Sequence, residues 1–379
     1  MKRFIYADNA ATTQLDNDAF EAMKPYLLNE YGNASQPYSF SRSPKAALKH
    51  AREVIAECIN AEPCEVYFTS GGTESDNWAI KGSAFIDITK RATITSAFEH
   101  HAVLRACHSI ERMGYPVVYL QPNTSGVVTP ESLYLAITPN TRLVSVMMSN
   151  NELGTIQPII DLARIAHEHN AYFHTDAVQC VGHMPIDVKK LDVDMLSASA
   201  HKFNGPKGIG FLYIKKGVSI EPLMDGGSQE GQLRAGTENI ANIIGMSVAL
   251  KKNCDTLQRN TEHVLHIEQY LIKYLDELGI HYVRNGKSDT LPGIISLSFP
   301  SFEGEKLMHR LDLMGIQVST GSACDSVNTQ ISHVLEAIAL DEDAAKGTIR
   351  ISLGKNNTEE DVATIVESIH KILNIKKDL

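Results

Sequence analysis

Between about Pro44 and Leu250, short β-rich runs alternate with stretches whose apolar residues recur at helical spacing. This alternation limits the fold more than any other feature of the chain. "PKAALKHAREVIAECI" has helical periodicity, and "EVYFTS" after it reads as a strand. "RLVSVMMS", "AYFHTDAV" and "VDMLSASA" are further β-rich runs, while "DLARIAHEHN" is helical with Asp161 as its expected cap. Strands alternating with helices predict an α/β domain whose mostly parallel sheet is covered on both faces. In such sheets ligands gather at the carboxyl ends of the strands.

From about Thr256 the pattern changes. "TEHVLHIEQYLIKYLDEL" is a long amphipathic helix, followed by a strand in "GIISLSFP", a helix in "GEKLMHRLDLMG", a strand in "TIRISLG" and a closing helix in "TEEDVATIVESIHKILNIKK". This reads as a second, smaller α+β domain. The length of 379 residues accommodates both. The formal charge of -10 argues against a dedicated nucleic-acid binder, which needs a basic patch to neutralise phosphates. No apolar run approaches the length of a membrane span, and the opening "MKRFIYADNAATT" has no apolar signal core. The six cysteines, Cys58, Cys64, Cys107, Cys180, Cys254 and Cys324, form no CxxC pair, so neither a zinc site nor a disulfide framework is expected. A cytoplasmic enzyme is the expectation.

Four features fall where strands should stop. "TSGGTESDN" places two glycines after a strand, and Thr73-x-x-Asp76 then has the spacing of a helix cap. Glycines ahead of a helix start suit a phosphate, although the same pattern also marks an ordinary turn. Asp176 in "HTDAVQ" ends a strand, either as a cap for the next helix or as a carboxylate paired with a protonated ring nitrogen. In "AFEHHAV", read as extended, His100 and His101 point to opposite faces, so at most one serves a site. "ASAHKFNGPKG" ends a buried run on Lys202, and a partly desolvated lysine loses its proton readily enough to act as nucleophile or base. Ser199 and His201 beside it can donate to phosphate. A phosphate cup, a carboxylate for a ring nitrogen, a histidine face and a Schiff-base lysine together are the parts of a pyridoxal-phosphate site.

The chain resembles the class V, fold-type I pyridoxal-phosphate enzymes, specifically the NifS/IscS-like cysteine desulfurases. The likeness rests on "YADNAATT", "YGNASQPYSF", "FTSGGTESDN", "SNNELGTIQP", "HTDAVQCVG", "SASAHKFNGPKGIG", "RAGTENI", "STGSACDS" and "TIRISLG", in that order along almost the whole chain. It implies a large cofactor domain over residues 16–255 and a small domain of residues 1–15 and 256–379. It implies that Lys202 is the Schiff-base lysine, Asp176 the partner of the pyridinium nitrogen, and His100 the residue stacked on the ring and assisting proton transfer. Gln179 and Asn151 would lie by the ring's phenolic oxygen. Gly72, Thr73, Ser199 and His201 would hold the phosphate, and Thr237 would reach it from the neighbouring subunit of a homodimer. Arg350 would clamp the carboxylate of the substrate, L-cysteine. Cys324 would take the sulfur as a persulfide and pass it to an acceptor protein such as an iron–sulfur scaffold.

Three residues depart from the family pattern: Asp325 follows the catalytic cysteine, Gly231 stands where arginine is common, and Tyr38 stands where histidine is common. Asp325 either raises the pKa of the Cys324 thiol or caps the following helix. It keeps a selenocysteine lyase open as an alternative, because selenium leaves without a thiolate's help. A class V aminotransferase and a catalytically silent sulfur-trafficking scaffold are the remaining readings. "GSAC" argues against the first, and the lysine–aspartate pair against the second.

Overall fold

The computed structural model describes residues 4–86, 89–286, 289–320 and 331–374. Its strands are β1 (Ile5–Tyr6), β2 (Val66–Thr69), β3 (Ala92–Ser96), β4 (Val117–Leu120), β5 (Thr141–Ser145), β6 (Tyr172–Asp176), β7 (Met195–Ser199) and β8 (Gly210–Ile214). Later come β9 (Val283–Arg284), β10 (Ile294–Ser298), β11 (Ile316–Gln317) and β12 (Thr348–Ser352). The first eight helices are α1 (Asn17–Leu28), α2 (Arg42–Cys58), α3 (Gly72–Ile86), α4 (His101–Glu111), α5 (Pro130–Ala136), α6 (Ile159–Glu168), α7 (Val188–Leu191) and α8 (Ile240–Asp255). They are followed by α9 (Leu257–Glu277), α10 (Gly304–Leu313), α11 (His333–Ala337), α12 (Glu342–Lys346) and α13 (Glu359–Asn374).

Seven strands form one sheet in the order β2-β8-β7-β6-β5-β3-β4. It is parallel except at β8, which runs antiparallel to both β7 and β2. The inner strands are buried on two faces, and consecutive residues show it, whereas edge strand β4 leaves Val118 exposed. Leu143, Met195 and Leu212 pack with Trp78 and Ile80 of α3, while Val144, Leu196 and Phe211 face the other way, toward α2 and α8. The second core gathers Ile5, Ile267, Leu297, Ile316, Ile351 and Val366 around the sheet β12-β10-β9 and the parallel pair β1-β11. The chain passes from one core to the other between α8 and α9, where the sequence pattern changes at Thr256. Val334, Leu335, Ile338 and Ala345, although late in the sequence, join the large core.

Two local expectations are corrected. Helix α6 starts two residues earlier than its expected cap, because Ile159 is buried and draws the first turn into the core; Asp161 lies within that turn, 3.8 Å from Arg164. Asp76 does not cap α3. Glu74 instead folds back to accept from the Ser70 N–H at 2.8 Å, and Asp76 turns inward.

A buried ion pair pins the edge of the large sheet. Arg52 of α2 donates to Glu230 through Nη1 (2.8 Å) and Nη2 (2.6 Å), and the Phe68 N–H of β2 donates to the same carboxylate at 2.9 Å. Glu230 and Gly231 both have left-handed backbones, φ +46° and +64°, which accounts for glycine at 231. Tyr38 is exposed, and nothing in the structure explains its place. Arg52→Ala strands a buried carboxylate, so it should lower stability by about 3 kcal/mol in urea unfolding. Adding Glu230→Gln should return part of that loss. A single variant that unfolds like the parent would show that the pair contributes nothing.

Candidate active site at the carboxyl ends of the strands

Strand β2 ends on Thr69, and the chain turns through Gly71 into α3 at Gly72. Gly72 is there for space and Gly71 for its backbone, φ +146°. A Cβ on Gly72 would come within 2.6 Å of Val178 Cγ2, and one on Gly71 would sit 3.4 Å from Ser199 Oγ. The backbone therefore lies directly against Ser199 of β7, beside the first-turn N–H groups of a 15-residue helix. Thr73 in that turn is exposed, and Ser199 is buried. Arg234 pairs with Glu74 (2.8 Å), tying the segment that carries Thr237 to the start of α3. Thr237 is exposed, and no hydrogen bond among the described residues joins it to the site.

Lys202 follows β7 on a single 3-10 turn. Its Nζ donates to the carbonyl of Ala10 and, at 3.0 Å, to that of Ala11. Gln179 Nε2 donates to the Ala10 carbonyl as well, at 3.1 Å. His201 Nδ1 meets Thr12 Oγ1 at 3.1 Å, and burial pushes its pKa down to about 4. The stretch Ala10–Thr12 thus crosses the site. Its residue types give no sign of that role, since main-chain carbonyls are common to every residue.

Asp176 ends β6, 5% exposed, and accepts from the Val178 N–H at 2.9 Å. Burial pushes its pKa up to about 6, against the pull of the Val178 N–H and the charge of Lys202. A buried carboxylate raised in this way is poised for a cation. Its oxygen holds the turn after β6 and caps no helix, since α7 begins only at Val188.

His100 is not in a strand. It is the N-cap of α4, and its Nδ1 accepts from the Ala102 N–H at 3.1 Å. Burial, then the charge of Lys202, pushes its pKa down to about 4. A neutral ring that accepts at Nδ1 carries its proton on Nε2. His101 lies against His333 of α11, ring centroids 4.7 Å apart, so the pair divides between two elements.

Arg350 of β12 is 5% exposed. It donates to Asp8 (2.7 Å) and to the Asn151 carbonyl (2.9 Å), while its Nε is buried without a partner among the described residues. Its backbone exchanges hydrogen bonds with Ser319. Cys324 and Asp325 lie outside the described residues; Ser332 caps α11. A cavity of about 330 Å³ lies between the two cores, lined by Tyr6, Asn253 and Lys355 among others; it meets the site at Gln179 and Ala10.

A family model described as "Aminotransferase class-V" matches residues 5–365. The chain is 47% identical over 375 residues to a "Cysteine desulfurase IscS" of Dictyoglomus turgidum, covering 98% of this chain and 95% of that one. The chain belongs to the cysteine desulfurases of the class-V aminotransferase family. A solved "NIFS-LIKE PROTEIN" superimposes with a TM-score of 0.92 at 39% identity, covering 98% of this chain and all of that one. "SspA in complex with cysteine" does so with a TM-score of 0.84 at 36% identity, over 93% and 100%. Cysteine desulfurases of this family use pyridoxal phosphate, and the residues present fit it. Gly72 has no room for a side chain and Gly71 has a backbone that disfavours one, Asp176 is a carboxylate whose pKa burial raises, and Lys202 follows the neighbouring strand end.

The histidine geometry is testable by nitrogen-15 NMR of the apoprotein. His100 should titrate near pH 4 and carry its neutral proton on Nε2. In Lys202→Ala its midpoint should rise, because a neighbouring cation is removed, and should stay below the ordinary 6.5 because burial remains. A midpoint at 6.5 in the unaltered protein would contradict the geometry.

Proposed function

We propose that this chain removes sulfur from L-cysteine, releasing L-alanine and leaving a persulfide on Cys324, for delivery to an acceptor protein. The observation that carries the reading is the placement of the Lys202 amine and the buried Asp176 on adjacent strand ends beside the glycine cradle. In balance, the Cβ–S bond of cysteine breaks, a bond forms between that sulfur and Cys324 Sγ, and the substrate's Cβ gains a proton.

Gly72, Thr73, Ser199 and His201 would hold the cofactor's phosphate, Asp176 its ring nitrogen, Gln179 and Asn151 its phenolic oxygen side, and Lys202 its aldehyde. When bound, pyridoxal phosphate supplies the aldehyde that captures the substrate's amino group and a ring that accepts the electron pair left at Cα. Asp176 would keep the ring nitrogen protonated. The Lys202 amine, once free, would take the proton from the substrate's Cα. His100, with its proton on Nε2, would face the ring as a donor. Arg350 would receive the substrate carboxylate, and its Nε, without a partner among the described residues, would supply a donor for that bond. Ser319, bridged to Arg350, leads toward the segment bearing Cys324, which links the carboxylate clamp to the nucleophile along the chain.

Thr237 is read as completing the site of a second copy, since it is exposed and no hydrogen bond among the described residues joins it to its own site. The two cores are read as two domains, residues 16–255 and residues 1–15 with 256–379. The acceptor is a thiol-bearing or scaffold protein for iron–sulfur or other thio-cofactors. No helix among the described residues is long and apolar enough to cross a membrane.

The test is to incubate the purified protein with L-cysteine and measure alanine and protein-bound persulfide. Lys202→Ala should lose turnover, and Cys324→Ala should lose the persulfide while keeping the cofactor. Asp176→Ala should lower kcat on the order of 100-fold or more. Turnover of cysteine by Lys202→Ala at the parent rate would overturn the reading. Faster turnover of selenocysteine in Cys324→Ala than of cysteine in the parent would favour the lyase.

A further inference from the structure

Beneath the site lies a polar row that the reaction does not use. Ser145 on β5, His174 on β6 and Ser197 on β7 sit on three neighbouring strands. His174 is two residues before Asp176 and Ser197 two before Ser199, so each points to the same face as the site residue above it, toward α3. Ser145 Oγ lies 2.8 Å from His174 Nδ1, and Ser197 Oγ lies 3.0 Å from His174 Nε2. The Ser197 hydroxyl also faces the carboxyl group of Asp76, on α3, and draws its pKa down, against the larger opposing effects of burial and of Asp176. Asp76 is 1% exposed, and its Oδ1 has no hydrogen-bond partner among the described residues; His174 Nε2 lies 3.7 Å from it. Ser197 is the register partner of Asp176.

The titratable groups that face Asp76 are His174 and Asp176 from β6, Glu99 from the turn after β3, and Cys107 from α4. None supplies a cation. Burial pushes His174 down to about 3, so its ring is neutral, and it pushes the Cys107 thiol up. Glu99, likewise pushed up to about 8 by burial, is held by Ser96 and the Met147 N–H. Two facing carboxyl groups out of water do not both ionise. Asp176 has the Val178 N–H and the charge of Lys202 to favour its anion, and Asp76 has neither.

We propose that Asp76 is a positioning residue that stays protonated behind Asp176, so that the one negative charge of the pair rests on Asp176. Its proton sets the direction of the whole row. Asp76 O–H donates to Ser197 Oγ, Ser197 O–H donates to His174 Nε2, and His174 Nδ1–H donates to Ser145 Oγ. An ionised Asp76 would reverse every bond and move the histidine proton to Nε2. The His174 tautomer therefore reports the charge of Asp76. As a statement about catalysis, the proposal rests on the assignment of Asp176 to the cofactor's ring.

Nitrogen-15 NMR of the histidine-labelled holoenzyme reads that tautomer directly. His174 should carry its proton on Nδ1, and should keep it there in Asp76→Asn, whose amide N–H donates to Ser197 as the acid does. The pH titration of the bound cofactor's absorbance should hold its midpoint in Asp76→Asn, since a neutral group replaces a neutral group. In Asp176→Asn the midpoint should move by about one unit or more. An Nε2–H tautomer in the unaltered holoenzyme overturns the proposal, and so does a midpoint displaced by about a unit in Asp76→Asn. The first readout needs no variant, so a misfolded Asp76→Asn does not protect the idea. An unmoved titration in Asp176→Asn would count against the ring assignment instead, and the His174 tautomer would still decide the charge of Asp76.

Discussion

A carboxylate held out of water at the end of β6 sets the terms for everything around it. Asp176 is costly to ionise where it stands, and the neighbourhood is arranged to make that charge useful. The Val178 N–H holds one oxygen, the Lys202 amine lends its charge, and the neutral histidines at 100, 174 and 201 add no competing cation. The small hydroxyl residues that stud otherwise apolar strands follow from the same need. Ser145, Ser197 and Ser199 are buried where a parallel sheet would ordinarily carry valine or isoleucine.

The N-terminal stretch joins this charge to the second core. Ala10 and Ala11 accept from Lys202, Ala10 accepts from Gln179, and Asp8 pairs with Arg350. The Ala10 N–H donates to Ser352 Oγ, one further tie to β12. Lysine and arginine, on different sheets, are thus referred to one short segment. It is one tie between the two cores, beside the bridge of Thr155 to Thr290 and the bond of Lys355 to Asn253.

Much of this was legible in the residues. Helical and strand periods placed the large sheet, because a buried parallel sheet leaves long apolar runs between amphipathic helices. Lys202 and Asp176 stood out as charges at the ends of such runs, and the paired glycines as a backbone that must come close. What escaped was set by contacts between distant segments. His100 looked extended, yet its ring caps α4. Asp76 had the spacing of a cap, yet Glu74 took that role and left Asp76 inside. Asp8 and the Ala10 and Ala11 carbonyls gave no local sign, since their partners lie roughly 190 to 340 positions away.

The pairing of β1 with β11 has a consequence for how the chain is made. Ile5 and Tyr6 leave the ribosome first, while their partners Ile316 and Gln317 emerge after more than three hundred residues. The large core can close around its own sheet well before then, since domains fold as units during synthesis. The stretch that crosses Lys202 has ties of two ages: Gln179 and His201 hold it to the large core early, while Ser352 and Arg350 reach it only from strands not yet translated. A polypeptide truncated before β11 therefore keeps the first set of ties and lacks the second.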